Sequence, residues 1–511
     1  MGRGATEFEL KFAGAPADVA ALPRSLFVRA LTPAKGVWRR LETTYYDTPG
    51  RELAQAGLSL RLRIDAGRRI QTVKRPASSP VERKEYERVL GPGEVFPAPV
   101  GKKKIDAKIA GLAKGLRPTA RTTVDRWTAT ANFGASQIEI AVDLGRAESW
   151  DGAGTAYEAP LGEVELELKA GAPRDVFELG RELAANAPLR LATRSKLEMA
   201  RGLVDGGAYG LLQATAPLLA PDENAACAFR TALGALAERI ALLVPHITLT
   251  RRPEGVHQMR VALRRLRALE QGLRPFLLCE DLAQLGARAR NFASALGPAR
   301  DWDVFLADTS LLQNANPPEG AARLKIHAET LRAAAWQNAV EAVSSADFTR
   351  FLIDLLEFTH SHELQGEAAL QAPTAELAAK LLKRSWKKAR RTAREVDFDV
   401  PATMHPLRLA IKRLRYQAQM ARGLYDKDAR AEFMTALSRL QEGLGRINDA
   451  ATAGRLAEEA ALGEAACGEG EAAMRAAGFI SGYMAAEAGA GARYIAGEWN
   501  AIRKAKRFWR V

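Results

Sequence analysis

Polar and apolar residues alternate through the first two hundred positions, and beyond them the apolar residues recur every three to four. In EFELKF, Glu7, Glu9 and Lys11 share one face of an extended chain while Phe8, Leu10 and Phe12 share the other, which is the two-residue period of a β-strand. RLETTYYDTP, LSLRLRI, RIQTVKR, VERKEYERVL, RTTVDRWTATA, SQIEIAVDL and GEVELELKAG are further strand candidates, set apart by Gly, Pro and Asp turns. A few helical pieces such as PRDVFELGRELAANA interrupt them. From about residue 222 the strand signals stop and long Ala-, Leu- and Arg-rich stretches of helical period follow. The Gly-, Ala- and Pro-rich run VDGGAYGLLQATAPLLAPDE lies between the two patterns. The expected organisation is a β-rich domain over 1–205, a linker over 206–221 and a helical domain over 222–511.

The helical half repeats itself. HQMRVALRRLR begins at His257 and HPLRLAIKRLR at His405, 148 residues later. The same offset lays Arg260 on Arg408, Arg264 on Lys412, Arg265 on Arg413 and Arg267 on Arg415. Further on it lays LGPARDWD on LGRINDAA, with Asp301 on Asp449. A register kept over more than forty residues predicts an all-α domain of two helical bundles related by pseudo-twofold symmetry. On a wheel of 100° per residue, His257, Arg260, Arg264 and Arg267 fall within about 80° of arc, opposite Met259, Ala262, Leu266 and Leu269. His405, Arg408, Lys412 and Arg415 repeat the arrangement against Leu407, Ala410 and Leu414. One such face is an ordinary solvated helix surface; two in fixed register would pack into a common basic surface suited to a long polyanion.

Composition sharpens this reading. The chain has 511 residues, 47% of them hydrophobic, with a net charge of +14, which excludes extensive disorder and points to a polyanionic partner. Its three scattered cysteines fit a reducing compartment and argue against a disulfide framework. No apolar run approaches the roughly 20 residues of a membrane span, and no hydrophobic targeting segment precedes Glu7, so the expected location is the cytoplasm.

The charged strand faces carry the chemistry. A half-exposed antiparallel sheet would alternate in the same way. These faces, however, hold few Ser, Thr, Asn or Gln, and acids sit on strands near the two ends of the series with bases between. Closing the strands into a barrel with charges inward would cost several kcal/mol per uncompensated ion, so such a lumen must be wet and hold a ligand of matching charge. Glu7 and Glu9, roughly 6.5 Å apart along a strand, could share hydrated Mg²⁺ with Glu165 and Glu167. Lys11, Arg61, Arg63, Lys74 and Arg126 would then grip phosphates. The first half contains no histidine, which argues against histidine-based phosphoryl transfer there.

In order along the chain, EFELKF, YYDTP, LRLRI, TVK, RKEYE, EVELELK and RSKLEMARG resemble the landmarks of the CYTH, or triphosphate tunnel metalloenzyme, family. The resemblance implies an α+β domain built on an eight-stranded antiparallel β tunnel that binds a triphosphate with Mg²⁺ or Mn²⁺. It implies metal ligation by Glu7, Glu9, Glu165 and Glu167, helped by Glu163, Glu85 or Asp143. Lys11, Arg61, Arg63, Lys74, Arg126 and Lys196 would contact phosphate; Arg121 joins them although it lies one position out of parity with Arg126. The implied catalytic set is Glu7, Glu9, Lys11, Lys74, Glu165 and Glu167.

The two His-centred repeats resemble the CHAD domain, a helical domain often fused behind CYTH and associated with inorganic polyphosphate. The histidine stands among three cations without neighbouring carboxylates, so polyphosphate binding by His257, Arg260, Arg264, Arg267, His405, Arg408, Lys412 and Arg415 is expected rather than metal ligation. The resulting expectation is a metal-dependent inorganic triphosphatase with a polyphosphate-binding second domain, cytoplasmic and associated with polyphosphate granules. Thiamine triphosphatase, adenylate cyclase and a non-catalytic polyphosphate adaptor are the alternatives. Nucleic acid is not expected as a partner, because no recognised module is present and aromatic residues make up only 7% of the chain.

Overall fold

All eight alternating segments are strands: β1 (Ala5–Ala13), β2 (Val37–Asp47), β3 (Ser59–Asp65), β4 (Arg68–Pro76), β5 (Glu82–Leu90), β6 (Arg117–Phe133), β7 (Ser136–Trp150) and β8 (Ala156–Ala170). They come from a computed structural model, which describes residues 5–76, 81–205, 218–221, 223–307, 318–360, 364, 367–465 and 470–509. Most of the expected linker, at 206–217, and Cys467 lie outside the described residues. The strands pair antiparallel in the order β5-β4-β3-β2-β6-β7-β8-β1, and β1 returns to β5 from Ala5↔Glu85 to Phe8↔Glu82. The eight strands therefore close on themselves. A two-residue β9 (Arg190–Leu191) adds to the edge of β1; so short a strand has no alternation to read.

The barrel is inside out relative to a soluble sandwich. Phe8, Leu10 and Phe12 face outward and are buried beneath the helix Pro173–Asn186, with the Phe8 and Phe177 rings edge-on at 5.4 Å. Gly180 lets that helix approach: a Cβ there would meet Leu10 at 3.0 Å and Phe12 at 3.2 Å. Leu60, Val73 and Tyr86 pack in the same manner with Leu53 and with Ile105 and Ile109 of the helix Lys103–Leu112. Each such apolar side chain contributes about 1.5–3 kcal/mol on burial, and this outer layer is what permits a charged interior.

The helix Lys196–Val204 begins with a capping box between Ser195 and Glu198. Its Leu197, Met199 and Ala200 seat against Leu41, Tyr45, Ala120 and Val124, positions that share the inward parity of Thr43 and Arg126, and this delivers Lys196 to the lumen. Asp47, fully buried at the end of β2, accepts from the backbone N–H groups of Thr48 at 2.8 Å and Leu53 at 2.9 Å and from Arg201 Nη2 at 2.7 Å. One carboxylate thus ties YYDTP to RSKLEMARG.

The chain forms two compact units. The first holds Met1–Gln213 with Ala237–Leu249 and Ser344–Glu357; the second holds Ala214–Leu236, Thr250–Val343 and Phe358–Val511. Two segments of the helical half therefore belong to the first unit. There Arg181 Nη1 reaches Asp354 at 3.0 Å and Glu357 at 2.6 Å, and Thr349 Oγ1 donates to the Leu189 carbonyl at 3.0 Å.

In the second unit the two His-centred motifs open the helices Pro253–Leu273 and His405–Met420. Gln417 fastens the repeats together, donating from Nε2 to the Ala268 carbonyl at 2.9 Å and accepting from Ser385 Oγ at 2.5 Å. The long helices Lys427–Ala465 and Gly470–Lys504 follow. Among the described residues no helix is long and apolar enough to cross a membrane.

Candidate functional site

The lumen of the barrel is a lattice of opposite charges in two parts. In the first, Lys196 Nζ lies 2.8 Å from Asp143, 2.7 Å from Glu163 and 2.8 Å from Glu165. Arg126 reaches the other oxygens of Asp143 at 2.6 Å and Glu165 at 2.7 Å. Lys11 adds a contact to Glu165 at 3.0 Å. Glu165 thus holds three buried cations. Burial opposes its charge, but Lys196, Lys11 and Arg126 hold its carboxyl well below the usual range. Burial likewise opposes the Asp143 carboxylate, yet Lys196 and Arg126 hold it at about 2.

The second part is short of positive charge. Glu7 and Glu9 lie along β1, and Glu9 stands opposite Glu167 in the β1–β8 ladder. Burial pushes the Glu7 carboxyl up; Lys74, 3.7 Å away, pulls it down and Glu9 pushes it further up. Burial also raises the Glu167 carboxyl, against the bond from Lys169 at 2.7 Å and with the help of Glu7. Lys74 bonds to Glu85 across the β4–β5 ladder, and burial and Arg61 push its ammonium down to about 7. Arg61 stands 3.7 Å from Glu85 and 3.6 Å from Glu87. Arg63 donates to Thr43 Oγ1 at 3.2 Å, and burial and Arg61 hold it down at about 10.

Lys11, Arg61, Arg63, Lys74, Arg126 and Lys196 accordingly share one lumen with Glu7, Glu9, Glu85, Asp143, Glu163, Glu165 and Glu167. Arg121 does not. It is exposed on the outer face of β6 over the Trp150 ring, 6.0 Å from its centroid, because strand parity places it opposite in direction to Arg126. Replacement of Arg121 by Ala is expected to leave phosphate release from triphosphate within about twofold of the parent, the usual scale for an exposed substitution of about 0.5 kcal/mol.

In the helical unit the two basic stripes converge in part. Burial, Arg408 and Arg264 push Lys412 down to about 7, with Arg260 adding to the effect. Burial and Arg264 hold Arg260 at about 10, while its Nη1 donates to the Ala293 carbonyl at 2.8 Å. His257 is lowered by burial and Arg300, and Arg264 and Arg260 act in the same direction. Asp301 and Asp449 stand among these cations: Asp449 lies 4.0 Å from Arg408, and Asp301 interacts with Arg260 and Arg264. His257, Arg260, Arg264, Arg408 and Lys412 thus form one cluster. Arg267 turns toward Arg290 and Glu270, Arg415 bonds to Gln441, and His405 is exposed on the first residue of its helix. The repeat had already aligned Asp301 with Asp449, but nothing in the spacing marked them as part of the cluster.

The model of the CYTH domain matches residues 5–200, and the model of the CHAD domain matches residues 231–458. The chain joins a CYTH domain to a CHAD domain. Over 200 residues the CYTH–CHAD chain is 28% identical to an inorganic triphosphatase of Haemophilus influenzae, a match covering 37% of this chain and 53% of that protein. It therefore spans about half the length of that curated relative. An uncharacterized protein of Mycobacterium tuberculosis is 27% identical over 412 residues, covering 74% of this chain and 75% of the relative. The crystal structure of the CHAD domain from the plant Ricinus communis superposes with a TM-score of 0.51 at 28% identity, covering 58% of this chain and 98% of that one.

The carboxylates of the CYTH domain differ in what they can hold. Asp143, Glu163 and Glu165 each offer an oxygen within 4.8 Å of the others, a spacing that suits a cation. The Lys196 ammonium already supplies that charge at hydrogen-bond distance from all three. Glu7 and Glu167 are raised carboxyls with Glu9 between them in the ladder, and a divalent cation there would relieve the repulsion that raises them.

Proposed function

We propose that the CYTH domain hydrolyses inorganic triphosphate with a divalent cation and that the CHAD domain binds inorganic polyphosphate. The observation that carries the first part is the division of the lumen into six cations and a separate, under-neutralised acidic pole. Phosphate oxygens would be gripped by Lys11, Arg61, Arg63, Lys74, Arg126 and Lys196, the arginines as two-pronged donors and the lysines as point charges. Glu7, Glu9 and Glu167 would hold Mg²⁺ or Mn²⁺, which on binding would supply charge neutralisation on the phosphoryl group and a polarised water. Glu165, Asp143 and Glu163 would act as built-in counter-ions that position the grip. An anion clamp alone would gain nothing from the acidic pole, which favours hydrolysis over passive binding. The name of the Haemophilus influenzae relative agrees with this reading.

The test is phosphate release from inorganic triphosphate, thiamine triphosphate and ATP, each with Mg²⁺, with Mn²⁺ and with chelator. Metal-dependent release from inorganic triphosphate alone supports the reading. Preference for either organic substrate reassigns the lumen, and no release from any of them leaves a phosphate-binding adaptor.

For the CHAD domain the supporting observation is the cluster of His257, Arg260, Arg264, Arg408 and Lys412. Because neighbouring cations and burial push Lys412 to about 7, the free protein loses this charge as pH rises through neutrality, and a bound polyanion restores it. Polyphosphate affinity is expected to be highest below pH 7 and to fall by up to about tenfold per pH unit above it, with proton uptake on binding. Titration calorimetry in two buffers of different ionisation heat measures that uptake. Lys412→Arg should flatten the profile, whereas an unchanged profile in that variant would remove Lys412 as its source.

A further inference from the structure

Half of the net charge of the chain sits on one helix that neither site uses. Between Thr374 and Arg394 there are eight Lys or Arg residues and one Glu, against a net charge of +14 for all 511 residues. The only described ion pair on this helix is Lys380 with Glu376 at 2.6 Å. Lys383, Lys387 and Arg390 are exposed along one row of the helix, and Arg384, Lys388 and Arg391 along another about 90° further round. None of the six has a carboxylate within ion-pair distance among the described residues. Lys383 with Lys387, Arg384 with Lys388 and Lys387 with Arg391 are like charges at i,i+4, each of which destabilises the helix. Cations in the last turn are explained by the helix dipole, but those at 383–388 lie before it.

The repeat shows that this charge is particular to the second copy. Shifting by 148 residues lays the six cations on Ala235, Leu236, Arg239, Ile240, Leu242 and Leu243 of the helix Ala225–Thr248. One cation therefore remains at the equivalent positions. The basic face is also separate from the His-centred cluster. Ser385, on the inner side of this helix, bonds to Gln417, which lies on the opposite side of its own helix from Arg408 and Lys412.

We propose that the exposed face of the helix Thr374–Thr392 binds the phosphate backbones of duplex nucleic acid without regard to sequence. An α-helix of 10–12 Å diameter matches the ~12 Å major groove, and two rows of cations meet the two phosphate walls. A single polyphosphate chain would follow one row and leave the other unmatched. Trp386 is buried, so the face offers no stacking platform for single strands. Leu381, Leu382 and Ala389 are also buried, so the helix has no apolar face to lay into a membrane. The sequence expectation against nucleic acid rested on missing modules and few aromatics, and a backbone-reading helix needs neither.

The experiment is fluorescence anisotropy of a mixed-sequence 20-base-pair DNA duplex with the full chain from 50 to 200 mM salt. The parent should bind with a steep salt dependence. The triple variant Lys387→Ala, Lys388→Ala, Arg391→Ala should lower the log–log slope by about 2.7 and the affinity at low salt by roughly 100-fold. These exposed changes leave the buried side of the helix intact, and an unchanged melting temperature verifies it. Parent-like binding by the triple variant overturns the proposal, as does absence of duplex binding by the parent. Loss of duplex binding in an Arg264→Glu, Lys412→Glu variant with the triple variant unaffected moves the contact to the other face and also overturns it. Equal affinity for a single strand of the same length does so too.

Discussion

Glu9→Gln protein is expected to stay folded and to lose at least about 100-fold in metal-dependent phosphate release, since a metal's charge stabilisation of phosphoryl transfer amounts to several kcal/mol. The substitution keeps the shape of the side chain and removes one of the charges that raise Glu7. Repulsion within the acidic pole falls, so the melting temperature should hold or rise slightly. Activity should recover little at high Mg²⁺ or Mn²⁺, because the change removes a ligand oxygen's charge rather than access. Wild-type turnover across the metal titration would take Glu9 out of the site.

Glu165→Gln should do something different in kind. Its carboxylate meets Lys11, Arg126 and Lys196 within 3.0 Å, and a neutral amide leaves these three buried cations to repel one another. Removing one partner from buried ion pairs typically costs about 3–5 kcal/mol, which for a domain of this size lowers the melting temperature by roughly 6–20 °C. The loss should be present at neutral pH and vanish only in strong acid, where the parent's Glu165 also takes up a proton. Sign and window follow from its depressed pKa: the stabilisation exists above the ordinary carboxyl range and is lost as pH falls through the folded value. Thermal melts from pH 8 to pH 3 measure it. A variant that melts with the parent while losing activity would make Glu165 a ligand of metal or substrate instead of the counter-ion of the grip.

Much of the CYTH barrel can be read before it is seen, because a two-residue period separates two faces and the signs of the charges are sorted between strands. Closure was legible only through cost: buried ions of both signs need a wet lumen. Parity alone removes Arg121 from that lumen. The roles of the seven carboxylates could not be separated from spacing, since Glu165 and Glu167 sit on the same face of β8 and differ only in the cations that reach them from other strands and from the helix Lys196–Val204. Asp47 was visible within YYDTP but not as the partner of Arg201, a contact spanning 154 residues. In the CHAD domain the 148-residue offset exposed the symmetry. Which stripe members meet depends on helix packing, so His405, Arg267 and Arg415 looked equivalent to Arg264 and Lys412 until the helices were placed.

The first compact unit reclaims helical segments from far along the chain, and this bears on how the molecule can be divided. Severing it after residue 205 would strip Arg181 of Asp354 and Glu357, and the Leu189 carbonyl of Thr349. Ile353, whose Cδ1 stands 3.7 Å from a Cβ placed on Gly180, would leave with them. The helix that shields the strand carrying Glu7, Glu9 and Lys11 would then meet water on a side built to be covered. Modularity here is a property of three-dimensional neighbourhoods and not of contiguous numbering, and an autonomous catalytic fragment would have to carry 237–249 and 344–357 grafted back onto 1–213.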